Sequence, residues 1–355
     1  MDAETLASPL FLEKSFLKPR KQNLRGVELF SLGLLGELAQ LGVCAEVPAH
    51  KSWRSDFESL ASTGIGLRPM PLGGSFMNGL CAVRLVRRGE RRKIIVGNVA
   101  NGLIPALCCL RLCRSPLQLV VFAHRMPSLR FMTALPKKGT RILAVNGIIA
   151  EAFRRAGFEA ETCFGHINPG RFHPGDNTPG TGSQRKVNFC VIGFLDNAWK
   201  GADTALAAFR ALPPDVAANC CLHLASYRSP PSFPESNVRT YAWFPDAEMP
   251  DFLRRMDVMI VPSRDENVMR ETFSLAMVEG MLTGLPVLAS NLPVLAEKLD
   301  AGGGCTFADS AGLSRLMAAM ASDPGKRAAM GLSARRTAIE RYVWSTEKFV
   351  SRWLA

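Results

Sequence analysis

Nine short apolar runs punctuate the chain between residues 9 and 289, and segments with helical spacing separate many of them. The runs before the midpoint are Pro9–Phe16, Lys93–Gly97, Leu117–Phe122 and Arg141–Val145. Those after it are Val187–Ile192, Cys220–Ala225, Val238–Ala242, Asp257–Val261 and Pro286–Ala289. Helical spacing of apolar residues marks Val27–Leu41, Ile148–Ala156, Asp203–Leu212, Ala247–Met256 and Phe273–Leu282. Alternating strands and helices build parallel sheets covered by helices on both faces, so the expected class is α/β. One stretch breaks the pattern. "NPGRFHPGDNTPGTGSQRK", residues 168–186, has three prolines, four glycines and one large apolar residue, and reads as a linker. With 355 residues, 47% of them hydrophobic, the chain can fill two ordinary domains. Two such α/β units place a ligand cleft between them, at the carboxyl ends of the strands.

Several classes are set aside. The N-terminus carries Asp2, Glu4, Glu13 and Lys14 and is not expected to be a signal peptide. The longest uncharged run, Ile94–Leu110, contains Gly97, Asn98, Asn101, Gly102 and Pro105. It reads as a strand, a loop and a helix start rather than a membrane span. The ten cysteines form no CxxC pair and lie mostly in apolar segments, as reduced cysteines of a cytosolic protein do. Neither a disulfide framework nor a metal site is expected.

The charge is uneven. Residues 1–175 hold 24 Lys and Arg against 12 Asp and Glu, which is the whole net +12, and the remainder, with 19 of each, is neutral. An acidic partner for the first half would explain that asymmetry.

"RETFSLAMVEGMLTGLPV", residues 270–287, places Glu271 and Glu279 on a stretch otherwise apolar on nearly every side. A helix starting near Phe273, with Thr272 or Ser274 as N-cap, sets Glu271 at its mouth and Glu279 about 12 Å further along. That span brackets a sugar, a diphosphate and a ribose, and the amides of Phe273, Ser274 and Leu275 favour an anion there. The plainer alternative is a first-turn acid favoured by the helix dipole and a Glu279 paired with an arginine. In "VNFCVIGFLDNAWKGADTALAAF", residues 187–209, a strand ends at Gly193 and a loop carries Lys200 and Gly201. A glycine there admits a ligand and a lysine can hold a phosphate, although a surface lysine in a turn has the same appearance. His124, in "LVVFAHRMPS", stands at the carboxyl end of a strand.

Together these segments resemble the retaining GT-B glycosyltransferases of the large nucleotide-sugar family 4. "ETFSLAMVE" fits the family's E-x7-E signature, "MLTGLPVLASNLPVLAEKL" the strand and helix after it, and "GFLDNAWKG" its diphosphate loop. "CFGHINPGRFHPG" fits the entry to the linker, and "RGVELFSLGLLGELAQLG" the glycine loop and first helix. The resemblance is strong over residues 140–345 and weaker before them. It implies two Rossmann-like domains facing across a cleft: an acceptor domain at 1–175, a nucleotide-sugar domain at 186–335, and a C-terminal helix at 336–355 packing back toward the first. It also implies roles. Glu271 would contact the transferred sugar, Glu279 the ribose, and Lys200 the diphosphate, beside Gly193 and the amides from Phe273 to Leu275. His124 would lie near the reacting sugar, and Gly26 in the acceptor loop. "YAWF", Tyr241–Phe244, matches the region of the base pocket. Three positions depart from the family. Phe194 stands where an arginine is common, Ser274 where the family has glycine, and Gly26 stands alone where a glycine pair is usual. Charge neutralisation would then rest on Lys200, with Arg125 or Arg264 as helpers.

The expected reaction moves a sugar from a nucleotide diphosphate sugar to an acceptor hydroxyl, with no metal and no cofactor. The expected acceptor is a lipid-linked, lipopolysaccharide or exopolysaccharide glycan. Basic clusters at Lys18–Arg25 and Arg84–Lys93 would bind an anionic membrane, making this a cytoplasmic, peripheral protein at the inner face of a bacterial membrane. Alternatives are a GT-B epimerase and, from another class, a basic nucleic-acid-binding protein. The latter has no recognition motif, and no nucleic-acid partner is expected.

Overall fold

Every strand pair in the computed structural model is parallel, as alternating apolar runs and helices require. The structure describes residues 8–20, 26–69, 84, 93–111, 117–163, 167, 169–175, 186–228, 233–242, 244–265 and 271–354. The chain divides into two compact units, Met1–His166 with Trp344–Ala355, and Ile167–Val343.

The first unit holds β1 (Leu10–Leu12), β2 (Ala45–Ala49), β3 (Ile65–Pro69), β4 (Lys93–Val96), β5 (Gln118–Ala123), β6 (Thr140–Ala144) and β7 (Glu159–Thr162). They form one sheet in the order β3-β2-β1-β4-β5-β6-β7. The run Ile94–Leu110 becomes β4, a tight turn and the helix Ile104–Leu110. Helix Gly26–Gln40 follows β1 and buries Phe30, Leu34, Leu35 and Leu38 against Phe11, Ile95, Val120 and Phe122. The 3.6-residue period of those apolar positions is what gives the helix a face to bury. Phe349 and Leu354, near the end of the chain, lie in the same core.

The second unit holds β8 (Val187–Gly193), β9 (Cys220–Ser226), β10 (Val238–Tyr241), β11 (Val258–Val261), β12 (Val287–Ser290) and β13 (Gly304–Phe307), ordered β10-β9-β8-β11-β12-β13. Phe189, Leu222, Ile260 and Leu288 form its core with Ala205, Phe209 and Met317 from covering helices. In each sheet the strand order reverses once, between β1 and β4 and between β8 and β11. Loops leave in opposite directions at such a point and open a crevice outside the carboxyl ends of the two strands.

Two expectations are corrected in detail. The helix predicted from Phe273 begins at Leu275, because Ser274 takes a left-handed backbone that cannot continue a helix. The helix predicted over 336–355 is interrupted: Pro324–Tyr342 is one helix, and the chain turns extended at Val343 before residues 344–355 join the first unit. The basic clusters lie partly outside the described residues, at 21–25 and 85–92. Of their described members, Arg20 pairs with Asp56 at 2.6 Å and the Lys93 ammonium donates to the Leu354 carbonyl.

Candidate active site

Lys200 and Glu271 meet at the crevice of the second sheet. Lys200 leaves the carboxyl end of β8 and Glu271 the loop after β11, the two strands flanking the reversal. The Lys200 ammonium donates to Glu271 Oε2 at 2.7 Å, with 17% and 7% of the two side chains exposed. At that burial the pair is held by more than screened surface attraction. Ser263 Oγ donates to the same oxygen at 2.9 Å, and the Ser274 amide donates to Oε1 at 3.0 Å. The carboxylate therefore has three protein donors.

Gly201 explains why Lys200 can stand there. Its φ is +67°, and a Cβ would lie 1.9 Å from the Pro262 carbonyl oxygen, so only glycine lets the loop press onto the end of β11. The Arg264 amide donates to the Trp199 carbonyl at 2.7 Å, and its guanidinium to Ala198 O and to Asp203, both at 2.6 Å. Arg264 thus fastens the lysine loop; the structure commits it to Asp203 rather than to a free anion site. The Lys200 stem lies 3.5 Å from where a Gly193 Cβ would be, and its ammonium sits 4.4 Å from the Trp199 ring.

Ser274 is the one non-glycine residue with positive φ among the described residues, at 58°. It is the N-cap of helix Leu275–Leu282 by position, yet its side chain makes no capping bond. Glu271 takes over, accepting the Ser274 amide, so that amide already has a partner while Phe273 and Leu275 flank it. A side chain there strains a backbone that glycine enters freely. Glu279 is buried on the same helix at 6% exposure, and its carbonyl accepts the Thr283 hydroxyl at 2.9 Å.

In the first unit, His124 follows β5 and packs edge-on against Phe30 at 4.7 Å. Burial, then the charge of Arg125, push its pKa down to about 4 against a backbone hydrogen bond with Gly97. It is therefore a neutral imidazole at physiological pH. Gly26 opens the helix after β1.

Residues 186–323 match the family model for group 1 glycosyl transferases. Over 68 residues the chain is 37% identical to an uncharacterized 41.2 kDa protein in the cps region of Klebsiella pneumoniae, 19% of this chain and 18% of that one. Over 113 residues it is 30% identical to the MMP alpha-(1->4)-mannosyltransferase of Mycolicibacterium hassiacum, 31% of this chain and 26% of that one. The matches thus span about a fifth to a quarter of those relatives' lengths. Among solved structures, HepE of Anabaena in complex with UDP superposes with a TM-score of 0.71 at 16% identity, covering 95% of this chain and 96% of that one. WaaG, a glycosyltransferase involved in lipopolysaccharide biosynthesis, gives 0.65 at 14%, covering 97% and 99%. The fold is GT-B.

Within this GT-B fold the structure adds residues the motifs did not reveal. Ser263 joins the Glu271 site through the end of β11, held by Ser290, whose hydroxyl lies 2.5 Å from the Ser263 carbonyl. Arg228, after β9, stacks over the Phe194 ring at 5.7 Å and pairs with Asp196 at 2.7 Å, placing a cation beside the position where an arginine is common in the family the sequence resembles. Lys298 is 1% exposed, with its ammonium 4.7 Å from the Phe273 ring and 5.4 Å from Tyr342. Burial pulls its pKa down to about 8, against the charges of Glu297 and Glu271. A lysine in the last turn of helix Pro293–Leu299 carries no sequence signal of such burial, and a lone arginine after a strand has little more.

Proposed function

We propose that this protein is a retaining family 4 glycosyltransferase that moves a sugar from a nucleoside diphosphate sugar to an acceptor hydroxyl. The observation that carries the reading is the Lys200–Glu271 pair, brought together from β8 and β11 at the reversal of the second sheet. Ligands of open α/β sheets bind there.

In this reading the diphosphate lies at the mouth of helix Leu275–Leu282, where backbone amides and the helix dipole favour negative charge. As the sugar–phosphate bond breaks, the diphosphate gains charge and Lys200 stabilises it, turning from Glu271 toward the phosphate. Ser263 and the Ser274 amide keep the Glu271 carboxylate in place while Lys200 shifts. Glu271 then faces the transferred sugar, and Glu279 accepts the ribose hydroxyls. His124, neutral and so able to accept a hydrogen bond, would serve the acceptor side on the first unit. The positive potential comes from Lys200 and the helix start, so the reading needs no metal and no cofactor.

The acceptor in this reading is a bacterial surface glycan or its lipid-linked precursor, at the cytoplasmic face of the membrane. Support comes from the net +12 on residues 1–175, and from relatives described by a cps region and by lipopolysaccharide biosynthesis. No helix of the described residues is long and apolar enough to cross a membrane. The test is thermal shift of the full chain with UDP, GDP, ADP and TDP, wild type beside Lys200→Ala. A nucleotide at 100 times its Kd stabilises by about 2.7 kcal/mol, and Lys200→Ala should lose most of that. If none of the four shifts the wild type, the proposal fails. Binding to phosphatidylglycerol vesicles that falls with salt tests the membrane part, and indifference to anionic lipid refutes it.

A further inference from the structure

A buried ammonium packs against the residue that leads into helix Leu275–Leu282. Lys298, in the last turn of helix Pro293–Leu299, is 1% exposed. Its ammonium sits 4.7 Å from the Phe273 ring and 5.4 Å from the Tyr342 ring, and the two rings meet edge-on at 6.2 Å. Both distances lie within the range at which an aromatic ring attracts a cation. Three elements thus close around one charge: the loop before helix Leu275–Leu282, helix Pro293–Leu299 and the end of helix Pro324–Tyr342.

The surroundings match that charge poorly. An ammonium has three N–H donors. Among the described residues only the Val294 carbonyl, one turn back on the same helix, accepts from it, at 3.1 Å. Glu271 is taken by Lys200 at 2.7 Å, and it acts on Lys298, as Glu297 does, only through space. A methionine would fill the same volume without the cost of burying a charge that has no counter-charge in contact.

The diphosphate site is where a spare cation counts. Phe194 brings no charge where an arginine is common in the family the sequence resembles. Arg264 is committed to Asp203 and Arg228 to Asp196, and Lys200 starts out paired with Glu271. Lys298 has no such carboxylate among the described residues, and in a low-dielectric interior its charge is felt further than it would be in water.

We propose that Lys298 is a positioning residue of the diphosphate site: it braces Phe273 at the helix mouth and adds a positive charge whose protonation is coupled to anion binding. The proposal rests on the reading that places the diphosphate at that helix mouth. Lys298 acts through Phe273 and through its field, without touching the ligand.

The direction of the coupling follows from linkage. Burial holds the Lys298 pKa down at about 8, from the ordinary 10.5, against the charges of Glu297 and Glu271. An arriving anion favours the charged form and pulls that pKa back up. Binding is therefore at full strength below pH 8 and weakens as pH rises through it, because the anion must then recruit a proton. The groups facing the ammonium are Glu297 on its own helix, Glu271 with its partner Lys200, and Tyr342. Burial pushes the Tyr342 pKa up to about 12, so it keeps its proton through this range.

The test is calorimetric titration of the full chain at pH 7 and pH 9.5 with inorganic pyrophosphate, with UDP, GDP, ADP and TDP, and with the matching nucleosides. Wild type is compared with Lys298→Met, which loses the charge, and with Lys298→Arg, which keeps a charge that does not titrate here. At pH 7 Lys298→Met should bind the diphosphate roughly tenfold more weakly than wild type, as a one-unit change in pKa requires, and the gap should close at pH 9.5. Lys298→Arg should match wild type at pH 7 and keep that affinity advantage over Lys298→Met at pH 9.5. The nucleosides, which carry no phosphate, should bind all three proteins alike. Three results overturn the proposal: equal diphosphate affinities of wild type and Lys298→Met at pH 7, a gap that persists unchanged at pH 9.5, or nucleoside binding lost in step with diphosphate binding, which makes Lys298 a packing residue only. Should Lys298→Arg fold poorly, the pH dependence of wild type against Lys298→Met still decides. Lys298-dependent binding of pyrophosphate without binding of any nucleotide would sink the transferase reading and leave the anion-coupled lysine standing. If neither pyrophosphate nor any nucleotide binds the wild type, both fall.

Discussion

Glu13→Gln should make the first unit's stability much less sensitive to pH. Burial dominates the Glu13 environment and lifts its pKa from the ordinary 4.5 to about 7, helped slightly by Glu28 and opposed by Ser15 and Arg125. A carboxyl whose pKa is raised on folding holds its proton in the native state after the unfolded chain has released it. Stability is therefore fully retained below pH 4.5 and falls as pH rises through 7. Each pKa unit is worth about 1.4 kcal/mol, so the shift costs the wild type about 3 kcal/mol by pH 8.5. Glutamine keeps the shape and the acceptor for the Ser15 amide, now at 3.0 Å, but has no proton to lose. Urea unfolding should be followed by the fluorescence of Trp53, buried in the first unit, with the other tryptophans replaced. The variant's advantage over wild type should be near its minimum at pH 4.5 and greater by about 3 kcal/mol at pH 8.5. A difference that stays level across that range would show that Glu13 ionises freely, and the account of its burial would be wrong.

Further outcomes follow from the second unit. Ser274→Gly should raise stability by up to about 1 kcal/mol, because glycine enters the φ of 58° without strain; denaturant titration checks it, and a destabilised variant would refute the strain. Lys200→Ala should lower turnover by on the order of 10²–10³, measured by nucleoside diphosphate release from the donor that thermal shift identifies. Glu279→Ala should weaken nucleotide affinity by about 1.5–3 kcal/mol, whereas Glu271→Gln should lower turnover more than affinity. Calorimetric titration of nucleoside diphosphate into both variants separates them, and equal losses would remove the assigned division of labour.

Most of the strands that sequence pattern revealed are covered on both faces, the edge strand Val238–Tyr241 being the exception. Val187–Gly193 and Cys220–Ser226 are buried almost throughout and so read as unbroken apolar runs. Glu159–Thr162 and Gly304–Phe307 escaped notice because each is an edge strand with polar residues and little burial. Ala45–Ala49 was hidden differently: Pro48 and Glu46 argue against a strand, yet it lies inside the sheet between β3 and β1. The site divides in the same way. Lys200 and Glu271 were legible because each sits in a local pattern of glycine, loop and helix start. That they touch was not, since it depends on β8 and β11 being neighbours, 71 residues apart in the chain at the two side chains. Glu13 counted only as one of the charges that argue against a signal peptide; its burial comes from β4 and from helix Gly26–Gln40.

The return of residues 344–355 to the first unit orders events during synthesis. Domains ordinarily fold as they leave the ribosome, N-terminal first. Here Phe349 and Leu354 belong to the core begun by Phe11 and Phe16, so that core stays unfinished until the whole second unit has been made. A fragment ending at the linker lacks those side chains and leaves the surface they cover open to water.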